Sequence, residues 1–396
     1  MKSINFYYSL LLFLTIFIYI PLNNTLINLK LSSYPTLTIL AIVVLLGILI
    51  NLTNLNIFFK FLLNYTPFSL IFTIITFIYI LFSSYLTDYS YFVPKSYLNE
   101  TNLFYIIYLF SGFLLAYYYK YLSFFFQKSK YTIIISSSLG ILIFLILISN
   151  NSLINIINRS IFKEVSISYQ LVADLLCILS FITIAKYYKS KITVLNFIIT
   201  IIILFILSSR SSILFYVLTI LLFLIYTKNI KTIVLSFILI LLFSNFFYND
   251  IVSFYKKDDR ITKLLTFDTK DEVSINQRNI LLEKNLIDIK ENWFTGNLYG
   301  EFHTFKKSGT YIHNYLSYLQ NFGFLPFLLF NILLLRISYF ILIKRDATFD
   351  NRFIFLIFIF TLLSVLFTRS YAAMYFLPLI ILSESYANIK RKETIY

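Results

Sequence analysis

Long apolar runs dominate the sequence and restrict its fold more than any other feature. Runs of about 17–20 residues with almost no charge recur along the whole chain. A helix of that length crosses a hydrocarbon core of about 30 Å and satisfies its own backbone hydrogen bonds. A transmembrane barrel needs alternating segments of about ten residues, and these runs do not alternate. The sequence therefore predicts an all-α fold, a polytopic membrane helix bundle.

Twelve membrane spans are predicted, each a continuous apolar stretch: 5–22, 36–50, 66–84, 101–119, 131–149, 167–185, 192–208, 211–227, 232–248, 324–343, 353–368 and 371–386. The first run lacks a small-residue cleavage site, so it is interpreted as a retained span. The chain then divides into a transmembrane bundle of about nine spans (1–248), a large external loop (249–312), and about three further spans with a cytoplasmic tail (313–396).

The basic residues of the short connections predict the orientation of the bundle, because such residues accumulate on the cytoplasmic side. With a cytoplasmic N-terminus, alternate connections and the C-terminus carry the following basic residues: Lys60, Lys120, Lys128, Lys130, Lys186, Lys189, Lys191, Lys228, Lys231, Lys344, Arg345, Arg352, Lys390, Arg391 and Lys392. Both termini are then cytoplasmic. These connections account for much of the net charge of +15, so nucleic acid is not an expected partner.

The predicted external loop has a different composition from the rest of the chain. Residues 249–312 contain ten of the 18 acidic residues and ten basic residues, so the loop is polar and balanced. We expect it to fold in water against the mouth of the bundle. Ser274 and Gln277 have the spacing of a helix capping box, and Gly296 and Gly300 mark the end of the helix that follows.

Few residues could hold a metal ion. The single cysteine, Cys177, excludes an intrachain disulfide framework and a cysteine-based metal site. The two histidines, His303 and His313, are ten residues apart and make a poor zinc site. Each is either a solvated loop residue or an acid, base or hydrogen-bond donor. Neither a metal nor another cofactor is expected.

Arg210 stands between two apolar runs, in the segment Ser208-Ser209-Arg210-Ser211-Ser212. Two interpretations are open. It is either a turn residue at the membrane surface or an anion clamp, because guanidinium binds phosphate bidentately and keeps its charge. Arg278, in the loop helix, is either a solvated side chain or a second ligand of the same anion.

Charged residues also lie within or beside predicted spans. A carboxylate inside a membrane is costly, so Asp174 in the sixth span is a functional candidate. A structural hydrogen bond to a Tyr or Ser would also explain it, and the sequence does not assign its role. Arg336 can snorkel to the cytoplasmic surface and receives no role. Arg369 falls on the outer side between two close spans.

Three short elements follow one another in the second half of the chain. They are the turn Ser209-Arg210-Ser211-Ser212, the loop segment Trp293-Phe294-Thr295-Gly296-Asn297-Leu298-Tyr299-Gly300, and the segment His313-Asn314-Tyr315-Leu316-Ser317-Tyr318-Leu319-Gln320-Asn321-Phe322-Gly323. In this order they resemble the O-antigen polymerase (Wzy-type) and O-antigen ligase superfamily of bacterial membrane glycosyltransferases. The resemblance covers roughly residues 200–345, and the spacing from His313 to Gly323 is one residue shorter than in that family.

The resemblance implies a GT-C-like fold in the bacterial cytoplasmic (inner) membrane, with the active site facing the periplasm or exterior. Members transfer a saccharide from undecaprenyl diphosphate to an acceptor hydroxyl without a metal. The implied roles are diphosphate binding by Arg210 and Arg278, catalysis by Arg210 and His313, and support from Asn314, Trp293 and Tyr299. The implied partners are lipid-linked oligosaccharides as donor and acceptor, membrane lipids, and a chain-length regulator protein as a candidate.

The expected function is a polymerase that joins lipid-linked repeat units into a surface polysaccharide. One alternative is an O-antigen ligase, which moves the lipid-linked glycan to lipid A–core or another acceptor. An alternative of another class is a transporter of lipid-linked oligosaccharides. A transporter needs little structure outside the membrane, so the 64-residue external loop favours the two enzymes.

Overall fold

A computed structural model describes residues 2–23, 36–86, 95–149, 169–207, 209–228, 273–298, 300, 312–343, 348–371 and 373–393. This part of the chain is helical, with no strand. The helices are α1 (Lys2–Leu14), α2 (Thr36–Asn51), α3 (Leu55–Tyr65), α4 (Pro67–Leu86), α5 (Lys95–Lys128), α6 (Thr132–Ser149), α7 (Tyr169–Tyr187), α8 (Lys191–Ile206), α9 (Arg210–Tyr226), α10 (Val273–Asn292), α11 (Leu316–Phe322), α12 (Phe324–Ile343), α13 (Phe349–Phe367) and α14 (Leu377–Glu393). The predicted all-α fold class is confirmed for these residues.

Among the described residues, five helical segments are long and apolar enough to cross a membrane: Ser3–Asn23, Asn102–Lys128, Gln170–Tyr187, Phe324–Ile343 and Phe349–Phe367. Shorter apolar helices cover Pro67–Leu81, Thr132–Leu142, Lys191–Leu204 and Ser211–Tyr226. These helices indicate a multi-pass membrane protein. The count of twelve spans stays a prediction, and the predicted span 232–248 lies outside the described residues.

The predicted span 36–50 has a different shape from a single straight crossing. It corresponds to α2, and α3 follows after a short 3₁₀ turn, Leu52–Asn54, at an angle of 110°. Asn51 anchors the bend, because its side-chain amide donates to the carbonyl of Gly47 and to the hydroxyl of Tyr118, at 2.7 and 2.8 Å. The two helices together are either one broken span or a re-entrant segment.

Two helices form the centre of the bundle. One face of α5 packs along α14, and a Cβ at Gly112 would lie 2.8 Å from the Cα of Pro378, so glycine permits this close approach. The other central helix, α7, contacts α6, α8 and α13 and is buried along almost its whole length. Asp174, within α7, is therefore shielded from water and lipid alike.

The two ends of the bundle carry different polar contacts. At one end, Lys186 donates to the carbonyl of Ser129, Arg352 to that of Ala185, and Asn351 to the hydroxyl of Tyr226, at 2.6–2.7 Å. The connections 129–131, 188–190 and 227–228, all predicted to be cytoplasmic, therefore meet at one end. Asp174, the start of α9 and the end of α13 meet at the opposite end. Which end faces the cytoplasm stays a prediction.

Candidate functional site

The end of the bundle that lies opposite Lys186 and Arg352 contains a buried ion pair. Asp174, in the second turn of α7, pairs with Arg369, just after α13, and their side chains are 0% and 3% exposed. The contact is bidentate: Nε of Arg369 donates to Oδ2 at 2.7 Å and Nη2 donates to Oδ1 at 2.9 Å. Burial of both charges requires such geometry, because an unpaired charge in this apolar interior would be strongly destabilising.

Hydroxyl groups surround this ion pair. Ser212 donates to Oδ1 of Asp174 at 2.6 Å, and Tyr375 donates to Oδ2 at 2.7 Å. Nη1 of Arg369 donates to Ser211 and Thr368 at 3.0 and 3.2 Å, and Nη2 donates to Ser212 at 3.1 Å. Because the proton of Ser212 goes to Asp174, the hydroxyl of Ser209 must donate to that of Ser212, 2.6 Å away.

Arg210 belongs to the same turn as these serines. The structure describes its backbone as the first residue of α9, directly after Ser209, the N-cap residue. Ser211 and Ser212 follow it and both bind Arg369. The backbone on either side of Arg210 is therefore tied to the ion pair.

The element that begins at His313 lies against the same end. Its helix, α11, is connected to the segment after α13 by Ser317, whose hydroxyl accepts the backbone N–H of Tyr371 at 2.7 Å. Asn314 starts α11, because its side-chain oxygen accepts the backbone N–H of Leu316 at 2.9 Å. His313 is half-buried three residues before the helix. A short segment, 368–371, thus contacts both the Arg210 turn and the His313 element.

The loop segment that contains Trp293 and the end of α11 meet backbone to backbone. We call Phe294–Asn297 together with Gln320–Phe324 the glycine clasp. The N–H of Asn297 donates to the carbonyl of Gln320 at 2.7 Å, and the N–H of Phe324 donates to that of Phe294 at 3.2 Å. Gly296 and Gly323 face each other within it. Their φ values are 71° and 76°, which residues with a side chain rarely adopt. Two of the elements behind the family resemblance are therefore in direct contact.

A polar cluster joins α10 to α11 beside the clasp. The amide of Gln320 donates to Oδ1 of Asn285 at 2.6 Å and to Oδ2 of Asp288 at 3.0 Å. Asn292 and Asn297 donate to Oδ1 of the same aspartate, at 3.0 and 2.8 Å. These bonds fix the loop helix on the His313 element.

The remaining predicted site residues are placed less closely. Arg278 lies on α10, seven residues before Asn285, which is about 10 Å along the helix axis. Trp293 is 51% exposed and its ring packs edge-on against Phe294 and Phe324. Tyr299, like His303, lies outside the described residues.

An apolar cavity of about 450 Å³ opens between α2, α3, α4 and α5. Tyr105 lines its wall, and the ring of Tyr105 lies 5.5 Å from that of Phe322 in α11. Lining residues on α5 run from Tyr105 to Leu114, which is about 14 Å along the helix. The cavity therefore begins beside the His313 element and extends along α5.

The sequence identified Asp174 but not its main partner. The predicted alternative, a hydrogen bond to Tyr or Ser, is correct for Tyr375 and Ser212, and Arg369 is the missing counter-ion. The signal was present, because a buried acid requires a base and Arg369 lies at the matching depth on the predicted outer side. Within the described ranges, no three His, Cys, Asp or Glu side chains converge as metal ligands.

A scan of the sequence against protein-family models finds no matching family, and a comparison with curated proteins finds no match.

Proposed function

We propose that this protein is a metal-independent glycosyltransferase that joins oligosaccharide repeat units carried on a polyprenyl diphosphate, as O-antigen polymerases do. Residues 368–371 carry the proposal, because they bind both the Arg210 turn and the His313 element. Each of those elements has one side chain suited to this reaction. Their contact through a shared segment supports one site built from both.

The proposed reaction transfers a glycosyl group between two oxygens. The acceptor hydroxyl attacks the anomeric carbon of the donor, the bond from that carbon to the diphosphate breaks, and the diphosphate leaves with the electron pair. His313 takes the hydroxyl proton, which is the task of a general base. Arg210 and Arg278 bind the diphosphate and stabilise the charge that grows on it.

Arg278 on the loop helix is the proposed second ligand of the diphosphate. The polar cluster of Asp288, Asn285 and Gln320 fixes α10 against α11, and Arg278 lies two turns further along α10. Trp293, half-exposed beside the clasp, offers a ring on which a sugar can stack. The bacterial inner membrane is the proposed location, with the site on the outer face.

The apolar cavity suits the lipid part of such a donor. A polyprenyl chain is entirely apolar, and it can leave water only within the bilayer or in an apolar groove. The cavity approaches α11 at Tyr105 and Phe322, so a chain held there would have its head group near the His313 element.

The experiment is polymer formation by purified protein in lipid, with the lipid-linked repeat unit as the only substrate and a chelator present. We expect longer glycans from the wild type, and loss of most activity in Arg210→Lys and Arg278→Lys, because lysine cannot form the planar fork of arginine. His313→Ala should be slower by on the order of 10²–10⁴-fold if it acts as the base.

Two matched controls accompany these variants. Arg352→Lys alters an arginine at the end of the bundle away from the ion pair, where it binds the carbonyl of Ala185. This variant should keep full activity. His303→Ala changes the other histidine. Full activity in Arg210→Lys, or equal mild effects at both histidines, would exclude the proposed site. A requirement for added divalent metal would exclude the metal-independent mechanism.

The same preparation separates the polymerase from the ligase. A polymerase extends the lipid-linked glycan without any other acceptor. A ligase leaves repeat units single until lipid A–core or another acceptor is added, and then transfers them to it. Absence of both products would count against the glycosyltransferase proposal as a whole.

A further inference from the structure

The Asp174–Arg369 pair has no free hydrogen-bonding capacity. An arginine has five N–H donors, and those of Arg369 make five bonds, to Asp174 twice and to Ser211, Ser212 and Thr368. The carboxylate of Asp174 accepts four bonds, which fills its lone-pair positions. Arg369 therefore cannot bind a diphosphate without giving up a protein partner, although it lies beside Arg210 in the fold.

A saturated buried pair needs a reason other than stability. Replacing a buried ion pair by neutral groups of similar shape is often harmless to stability, whereas removing one partner is not. Buried pairs can instead specify one arrangement of the elements that they join. Here the pair joins three elements: the start of α7, the start of α9, and the stretch after α13 that contains Thr368 and Tyr375.

The joined elements are those that carry the proposed chemistry. Ser209, Ser211 and Ser212 surround Arg210 on the backbone, and each is linked directly or through one hydroxyl to the ion pair. Two residues beyond Arg369, the N–H of Tyr371 binds Ser317 in the helix that follows His313. Arg369 therefore connects both reactive elements, the Arg210 turn through its guanidinium and the His313 element through the backbone that leads to Tyr371.

We propose that Asp174 and Arg369 are positioning residues, which hold the Arg210 turn and the His313 element at a fixed separation. The reactive role of those two elements rests on the proposed function, but their fixed separation does not. Positioning matters because a misplacement of about 1 Å can cost roughly 10²-fold in rate.

The first test measures the separation itself. Spin labels are attached at Arg210→Cys and His313→Cys in a Cys177→Ser background, and their distance distribution is recorded by electron paramagnetic resonance in lipid. With the pair intact, we expect one narrow distribution. In the added double variant Asp174→Asn with Arg369→Gln, which removes both charges together, we expect a broad or shifted one. An unchanged distribution would overturn the proposal.

The control for this measurement loosens the other end of the same helix. Tyr226→Phe removes the hydroxyl at the end of α9 that accepts the amide of Asn351. It should leave the distance distribution narrow. If it broadens the distribution as much as the double variant does, the ion pair has no special positioning role.

The second test is a mutant cycle on the rate per folded molecule, with the folded fraction taken from size-exclusion chromatography. The double variant should lose on the order of 10²-fold. Combined with Arg210→Lys, the total loss should be smaller than the product of the two separate losses, because part of the effect of the double variant acts through the Arg210 side chain. Multiplied losses would mean that Arg369 acts independently and would refute positioning. Absence of polymer from the wild type would refute only the proposed function, and the distance measurement would still decide on the pair.

Discussion

The glycine clasp gives the sharpest prediction about the structure. In Gly296→Ala, the new Cβ would lie 2.4 Å from the backbone nitrogen of Gly323 and 2.7 Å from the carbonyl oxygen of Asn321. Backbone atoms cannot turn aside as a flexible side chain can. The positive φ adds a strain of about 1–3 kcal/mol for a non-glycine residue. We therefore expect the free energy required to open the clasp to fall by at least about 2 kcal/mol, since the steric overlap adds to that strain.

Hydrogen exchange measures this opening directly. The backbone N–H groups of Asn297 and Phe324 donate across the clasp, so their exchange reports on it. A decrease of about 2 kcal/mol in the free energy of opening corresponds to roughly 30-fold faster exchange. The control is Gly140→Ala, where the closest atom is the flexible methyl end of Ile203 at 2.7 Å and the site is helical. If Gly296→Ala exchanges no faster than the wild type or this control, the account of the clasp is wrong.

Two further predictions concern the orientation of the bundle in the membrane and the start of α4. In a Cys177→Ser background, an impermeant thiol reagent added outside should label Glu283→Cys but not Lys128→Cys or Lys189→Cys, all exposed positions. Labelling of either lysine position from outside would contradict the predicted orientation. Glu384 accepts the backbone N–H groups of Phe68 and Ser69 at 2.9 Å, so Glu384→Gln should destabilise the start of α4 by about 1–3 kcal/mol. A lower temperature of thermal aggregation in detergent, with unchanged activity per folded molecule, is the expected result. An unchanged temperature would show that these two bonds contribute little.

Apolar run length predicted the helices well where a helix is uniformly apolar. The predicted span 324–343 has the same bounds as α12, because Gly323 ends the previous helix and polar residues follow Ile343. Run length was less informative for α5, whose 34 residues extend beyond the predicted span 101–119 at both ends. Hydropathy registers only the apolar middle of a helix that continues into polar surroundings.

The contacts of the candidate site were only partly predictable. The order of the Arg210 turn, the loop segment and the His313 element could be read from the sequence, and so could the cost of burying Asp174. The pairing with Arg369 joins residues 195 positions apart, and a matching depth in the membrane does not by itself show which helix ends become neighbours. The clasp likewise depends on two glycines whose positive φ values are evident only in the folded backbone.

The distance along the chain between Asp174 and Arg369 also sets an order of assembly. During synthesis, the helix that carries Asp174 emerges 195 residues before its counter-ion. An unpaired acid costs about 2.5–3.5 kcal/mol at the centre of a membrane helix on insertion scales, and Asp174, in the second turn of α7, bears part of that cost until its counter-ion is present. Its partner arrives just after α13, and Tyr375, which completes the carboxylate's contacts, follows six residues later. The site therefore closes as one of the last events of folding, and a ribosome that stalls before Arg369 would leave a bundle with an unneutralised acid for quality-control proteases to recognise.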